Sequence, residues 1–250
     1  MVRVHNLESA YYRHLAAAER NLFKKLFFRR ESRLLARYEK TLQPDVLYAC
    51  INQDDIAQFG TAVNSFYLPA FIPFKEIKPE TGIGNFCLYH GNLGVSENEK
   101  AAIWLLRNVF SKIRIPFVIA GKKPSRRLEK MAHLCQHTCL VADPSSPEMD
   151  DLVRKAHIHV LPAFSNTGIK LKLLHALFRG RHCVVNREMT SGTGLEDACH
   201  TGTTADSFAS IIAQLHHQPF TEEEITLRKR IVEPVFDNDR NAALINQFLY

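Results

Sequence analysis

The segment Leu161–Asn186 has the pattern strand, loop, helix and strand, and it constrains the fold of this chain more than any other stretch. An apolar run ends near Pro162, a loop of small residues covers Ala163–Gly168, and a helical pattern spans Ile169–Arg179 before Gly180 and an apolar strand. In a parallel sheet, such a unit brings the strand end and the helix start to the same edge. Free backbone N–H groups and the positive helix end attract an anion there.

Strands and helices alternate through the last two thirds of the chain, which predicts a doubly wound α/β domain with a parallel sheet over 76–232. A closing helix, Asn238–Leu249, is predicted within 233–250. Ser96–Glu99 and Thr221–Glu224 match the capping box, and Ser125 and Ser146 are predicted to cap two further helices. The other predicted elements are a helix, Glu97–Ile113, and the strands Phe86–His90, Pro116–Ala120, Cys139–Ala142 and Ile158–Leu161.

Residues 1–75 predict a smaller α/β domain. Helical patterns cover Ala10–Leu26 and Arg30–Thr41, and Asn52–Phe59 predicts a short helix with acidic residues in its first turn. Proline and glycine residues between positions 69 and 84 predict a linker to the next domain. The predicted strands are Val2–His5, Asp45–Ile51 and Phe66–Pro69.

The apolar runs and the cysteines of the sequence indicate the class of protein and its redox compartment. No run of about 18 apolar residues occurs, so a membrane-spanning helix is not expected. The six cysteines are scattered, and most lie in or beside apolar runs, which predicts free thiols in a reducing cytosol.

Positive charge is concentrated in Arg13–Lys40, within a chain whose formal net charge is +6. Phenylalanines at positions 23, 27 and 28 are interleaved with these basic residues. The segment fits an amphipathic helix with a solvated basic face, and it also fits peripheral contact with an anionic membrane, such as the inner membrane face. No aromatic platform or basic reading helix is present, so nucleic acid is not an expected partner.

Metal and cofactor motifs are weak in the sequence. Histidines and cysteines over His133–Cys139 follow two-residue steps that cannot converge on one ion from a regular helix, and they lack the CxxC spacing of zinc sites. The chain has no Asp-x-Asp motif and no P-loop. We therefore expect that this chain uses no metal ion and no cofactor.

The segment Leu161–Asn186 resembles the donor-binding segment of GT-B glycosyltransferases of family 4. Many members have two glutamates eight residues apart, with a Gly-containing turn and a helix between them, followed by Ala, Gly and an apolar strand. Ala176, Gly180 and Val184–Val185 match this pattern, whereas Thr167 and His175 stand at the two acidic positions. The resemblance implies a GT-B fold with a Rossmann-like C-terminal domain.

The N-terminal part resembles the end of the acceptor-side domain of the same family. Val2–Asn6, Asp45–Asn52 and Leu68–Pro69 follow the order of its last strands. The resemblance therefore implies that the chain holds the later part of this domain without its first βα units.

The resemblance also implies a function: metal-independent, retaining transfer of a hexose from a nucleotide-sugar to a carbohydrate or lipid-linked glycan. It places His5 at the catalytic cleft. A catalytically inactive binding module is the alternative, because the acidic pair is absent. The implied donor-binding residues are Asn92, Lys122, Thr167, Gly168, Ile169, Lys172 and His175.

Physical reasons support several of these assignments. Gly168 would let a diphosphate oxygen approach free N–H groups, and Lys122 would supply charge at the end of its strand. Lys172 lies three residues before His175 on one helix face, which predicts Lys172 on the ligand side and Lys170 in solvent. A neutral imidazole at position 175 accepts one hydrogen bond where a carboxylate would accept two.

Overall fold

The computed structural model describes residues 1–19, 21–61, 63–165 and 170–249. These residues form two compact units. The first comprises Met1–Ile72 with the C-terminal segment from Phe236, and the second comprises Pro73–Phe164 with Lys170–Val235.

The first unit contains a three-stranded parallel sheet in the order β1-β2-β3. Asn52 caps the third helix, because its side chain accepts a hydrogen bond from the Asp54 N–H. The C-terminal helix, Asn238–Leu249, belongs to this unit and has the predicted bounds. Its other elements are β1 (Val2–Val4), α1 (Glu8–Ala18), α2 (Leu22–Glu39), β2 (Leu47–Cys50), α3 (Gln53–Phe59) and β3 (Asn64–Tyr67).

The second unit contains a parallel sheet of six strands. A 3-10 helix, Glu196–Ala198, precedes its last strand. The elements are β4 (Cys87–Asn92), α4 (Ser96–Asn108), β5 (Phe117–Lys122), α5 (Arg126–His133), β6 (Thr138–Ala142), α6 (Ser146–Lys155), β7 (Ile158–Leu161), α7 (Leu171–Arg179), β8 (His182–Val185), α8 (Arg187–Thr190), β9 (His200–Thr201), α9 (Ala205–Leu215) and α10 (Glu222–Val232), and the C-terminal helix is α11.

The order of the six strands, β6-β5-β4-β7-β8-β9, makes the second unit doubly wound. The chain moves from β4 to β6 in one direction and then returns to β7 on the other side of β4. Because crossovers between parallel strands are right-handed, this reversal places α4 and α5 on one face and α6 and α7 on the other. Leu88, Ala120 and Val153 are fully buried between the sheet and α6.

Several predicted boundaries are wrong. Helix α1 ends at Ala18 rather than Leu26, α2 begins at Leu22 rather than Arg30, and α4 ends at Asn108 rather than Ile113. The capping box predicted at Ser96 is absent, because Ser96 lies inside α4 and Glu99 accepts a hydrogen bond from Ser125 instead.

Other caps are close to the prediction. Helix α6 is capped by Ser145, one residue before the predicted Ser146, and Glu148 completes its capping box. Thr221 and Glu224 form the capping box of α10 as predicted. Ser125 caps α5 as predicted. No helix among the described residues is long and apolar enough to cross a membrane.

Candidate functional site

A cavity lies at the carboxyl edge of the six-stranded sheet, where the strand order reverses beside β4. In doubly wound sheets, ligands bind in the crevice outside the carboxyl ends of the strands at this reversal. The lining residues come from the ends of β4 and β5, the start of α6 and the middle of α7: Gly91, Asn92, Gly121, Lys122, Pro144, Ser145, Ser146, Met149, Asp150 and His175.

Two glycines bring β4 and β5 close together at the floor of this cavity. Gly91 and Gly121 are partners in the parallel register. A Cβ atom at position 121 would lie 1.8 Å from the carbonyl oxygen of Gly91. Only glycine fits at position 121 in this backbone, so the sequence leaves the cavity floor clear of side chains.

Asn92 and Lys122 follow these glycines and are themselves register partners. The Asn92 Oδ1 accepts a hydrogen bond from the Gly94 N–H at 3.1 Å, and Asn98 Nδ2 donates to the Asn92 carbonyl at 2.9 Å. The turn after β4 is therefore fixed by two hydrogen bonds. Lys122 is exposed and brings a positive charge to the cavity.

His175 contributes a ring from α7 that is paired with a carboxylate from α6. Its Nε2 atom lies 2.9 Å from Asp150 Oδ1, and its ring stacks on Phe74 with centroids 5.2 Å apart. Burial lowers the pKa of His175, although Asp150 opposes this shift, so the ring is neutral at pH 7. The two groups are within ion-pair distance, but Nε2 of His175 has no hydrogen-bond partner of regular geometry among the described residues.

Lys172 lies beside the cavity rather than in its lining. Its Nζ donates hydrogen bonds to Asn98 Oδ1 at 2.9 Å and to the Tyr89 hydroxyl at 3.2 Å. Burial lowers the pKa of Lys172 to about 8, and the neighbouring Lys170 adds to this shift. Through Asn98, Lys172 is connected to the turn that carries Asn92.

Lys170 corrects one expectation. The sequence predicts this side chain in solvent, but it is half-buried, and burial lowers its pKa. The helix begins at Leu171 with Lys170 at its N-cap, later than the predicted start at Ile169.

The other predicted site residues lie in the first unit or outside the described residues. His5 is exposed and directly follows β1 in the first unit. Thr167, Gly168 and Ile169 lie outside the described residues. The cavity therefore brings together three of the predicted donor-binding residues, Asn92, Lys122 and His175.

Sequence reasoning missed Asp150 and the two serines at the start of α6. Ser145 and Ser146 bring the positive N-terminal end of a ten-residue helix to the cavity. A signal for Asp150 was present, since it lies in the second turn of a helix whose cap follows the carboxyl end of a predicted strand.

A sequence model of the family described as "Glycosyl transferases group 1" matches residues 84–218, which span the six-stranded unit from β4 to the end of α9. The chain belongs to this glycosyltransferase family. A relative is an uncharacterized 44.6 kDa protein in the cps region of Klebsiella pneumoniae, which is 27% identical over 207 residues. This match covers 78% of the chain and 53% of the relative.

Solved glycosyltransferase structures share the fold. Sucrose-phosphate synthase from Thermosynechococcus elongatus matches with a TM-score of 0.71 and 13% identity, over 99% of this chain and 66% of that one. A S. aureus TarM mutant, in complex with fondaparinux, alpha-GlcNAc-glycerol and UDP, matches with a TM-score of 0.65 and 12% identity. That match covers 99% of this chain and 49% of TarM. The chain thus has the α/β GT-B fold and spans about half the length of its curated relative.

Proposed function

We propose that this family member transfers a hexose from a nucleotide-sugar donor to a carbohydrate or lipid-linked glycan. The observation that carries the proposal is the cavity at the strand reversal, where Asn92, Lys122 and the Asp150–His175 pair lie around a glycine floor. This arrangement offers a cation for a diphosphate and a carboxylate for sugar hydroxyls.

The diphosphate lies over Gly91 and Gly121 in this proposal. Lys122 and the N-terminal end of α6 supply positive potential, and the Asn92 amide nitrogen supplies a donor. These preorganised groups stabilise the negative charge that develops on the leaving diphosphate, so the protein itself does the work that a metal ion does elsewhere. The family resemblance supports a retaining, metal-independent reaction, with His5 on the acceptor side.

The Asp150–His175 pair takes the role of an acidic ribose-binding residue. With Oδ1 of Asp150 lying 2.9 Å from Nε2 of His175, the second carboxylate oxygen is available to accept from a ribose hydroxyl. The imidazole at position 175 then orients a carboxylate instead of replacing one.

We expect nucleoside diphosphates to bind to the unmodified protein in calorimetry. Lys122→Ala should weaken this binding by about 1 kcal/mol or more, because a charged hydrogen bond is lost. Lys130→Ala removes an exposed lysine from α5 and is the matched control, which should leave the affinity unchanged. Absence of binding at millimolar ligand would exclude the donor site.

Turnover distinguishes an enzyme from an inactive binding module. The departure at Thr167 and His175 from the acidic residues of the family favours the second candidate. Release of nucleoside diphosphate from a panel of nucleotide-sugars, with the anomeric configuration of the product read by NMR, tests both catalysis and retention. Binding without release for every sugar and acceptor class would support the binding module.

The surface of helix α2 supports contact with a membrane that would carry a lipid-linked acceptor. Four apolar side chains at its start are largely exposed, at 73% for Leu22, 85% for Phe23, 62% for Leu26 and 53% for Phe27. Six basic residues share this helix: Lys24, Lys25, Arg29, Arg30, Arg33 and Arg37. Apolar and basic side chains on one surface helix favour peripheral binding to an anionic bilayer.

Sedimentation with anionic vesicles checks this contact. The double substitution Phe23→Ser and Phe27→Ser should weaken vesicle binding by about tenfold or more, because two large apolar side chains no longer enter the bilayer. Leu134→Ser is the control, since Leu134 is 84% exposed in the second unit. Equal sedimentation of the double variant and the unmodified protein would argue against membrane contact.

A further inference from the structure

Two histidines and a glutamate meet between β8, β9 and α10, away from the donor cavity. One potential ligand atom from each of His182, His200 and Glu224 lies within 4.8 Å of the other two. His182 is 2% exposed, whereas the other two are partly exposed and border a small cavity. This cavity shares no lining residue with the donor cavity.

One hydrogen bond of the His182 ring fixes the tautomer of its neutral form. Its Nε2 atom lies 3.1 Å from the carbonyl oxygen of Gln218, which can only accept, so Nε2 carries the proton. In the neutral ring the Nδ1 atom then bears a lone pair. That lone pair lies 3.2 Å from Glu224 Oε1, so two acceptors face each other.

Glu224 is held in place by a separate contact. Its Oε2 atom accepts a hydrogen bond from the Thr221 N–H at 2.9 Å, as part of the capping box of α10. This leaves Oε1 directed at His182, and Nδ1 of His182 is a buried atom without a hydrogen-bond donor among the described residues. A proton or a metal ion between the two atoms would relieve this contact between acceptors.

We propose that His182, His200 and Glu224 bind one divalent transition-metal ion, with Zn²⁺ as the best match. Two imidazoles and a carboxylate are a ligand set that zinc accepts, with an open fourth position toward the cavity. Ligands about 2.1 Å from a tetrahedral ion lie about 3.4 Å apart, which the His182–Glu224 pair already approaches. The Nε2–H of His182 bonded to a carbonyl is the outer contact by which metal-binding histidines are oriented.

Two cysteines and an arginine share the cavity with two of these ligands. Cys183 and Cys199 are among the residues that line this cavity. Arg228 also lines it, and its guanidinium is held by hydrogen bonds to the carbonyl oxygens of Leu177, Gly180 and Arg181. The ion would tie the two-residue edge strand β9 to β8 and α10. Its role is stabilisation of the sheet edge, separate from the metal-independent transfer proposed above.

Zinc binding by the chelator-treated full chain tests this site, with stoichiometry from calorimetry and Tm from thermal unfolding. We expect one Zn²⁺ per chain and a higher Tm with the metal. Glu224→Gln keeps an acceptor for the Thr221 N–H, so the capping box survives while the anionic ligand is lost. His200→Ala removes a partly exposed ring, and His217→Ala, an exposed histidine on the neighbouring segment, is the matched control.

Loss of a residue that only hydrogen-bonds to a metal ligand lowers metal affinity by roughly 10- to 100-fold. Glu224→Gln and His200→Ala each remove a ligand, so each should weaken zinc binding by more than this. Both variants should match the unmodified protein in Tm when chelator is present, which separates lost binding from lost folding. His217→Ala should bind as the unmodified protein does. No stoichiometric binding at micromolar zinc, or tight binding that survives both substitutions, would overturn the proposal.

Discussion

Gly121→Ala is expected to lower the free energy of unfolding by about 3 kcal/mol and to abolish nucleoside-diphosphate binding. The added Cβ atom would lie 1.8 Å from the Gly91 carbonyl oxygen on the adjacent strand. Backbone cannot rotate away as a long side chain can, so β4 and β5 must separate at their carboxyl ends. The floor of the donor cavity lies at that point.

Urea unfolding and calorimetry measure the two effects of this substitution. Gly94→Ala is the matched control, because it adds the same atom at the same sheet edge. There the nearest neighbour, the Cβ atom of Lys123, is 3.2 Å away. We expect the control to cost less than about 1 kcal/mol. An unchanged unfolding midpoint and affinity for Gly121→Ala would show that the strands do not approach as closely as described.

The sheet of the second unit was predictable because its strands are short apolar runs separated by capped helices. Thr221 is a correct cap, since Glu224 completes the reciprocal pair. Ser96 fits the same pattern, yet Glu99 bonds to Ser125, which is 26 residues away in sequence. A local motif therefore fails where a tertiary contact offers its glutamate a better partner.

The site was only partly predictable, for a related reason. Asn92 and Lys122 could be identified because each lies just after a predicted strand, at the edge where ligands bind, and because the family resemblance implies donor-binding residues there. Asp150 has a recognisable position in the sequence, in the second turn of a helix that follows a predicted strand, but its contact with His175 depends on how α6 lies beside α7. The burial of Lys170 and Lys172 likewise depends on packing, and helical spacing gives no information about it.

Lys172→Met is expected to weaken nucleoside-diphosphate binding by at least about 1 kcal/mol at pH 7, roughly fivefold in Kd. The buried ammonium group is held by two neutral acceptors, Asn98 and Tyr89. Its positive charge is therefore not cancelled by a carboxylate hydrogen-bonded to it among the described residues. Met has similar length and fills the same space without charge. Lys130→Met, on an exposed face of α5, is the control.

The pH dependence of binding separates a charge effect from a loss of packing. The pKa of Lys172 is about 8 without ligand, lowered from its usual value by burial, and a bound diphosphate would raise it. Below pH 8 the lysine is charged with and without ligand, so affinity is independent of its titration. Above pH 8 Lys172 is mostly neutral in the free protein, so binding requires that it take up a proton. The affinity should therefore fall by up to about tenfold per pH unit.

Calorimetry between about pH 7 and pH 9.5 measures this slope. The unmodified protein and Lys130→Met should lose affinity above pH 8, with proton uptake on binding, whereas Lys172→Met should bind weakly and without that slope. Tyr89 does not contribute in this window, because burial raises the pKa of its hydroxyl far above it. Equal pH slopes in the unmodified protein and Lys172→Met would contradict an electrostatic contact between Lys172 and the ligand. Lys172 would then act only by fixing the turn at Asn92 through its hydrogen bond to Asn98.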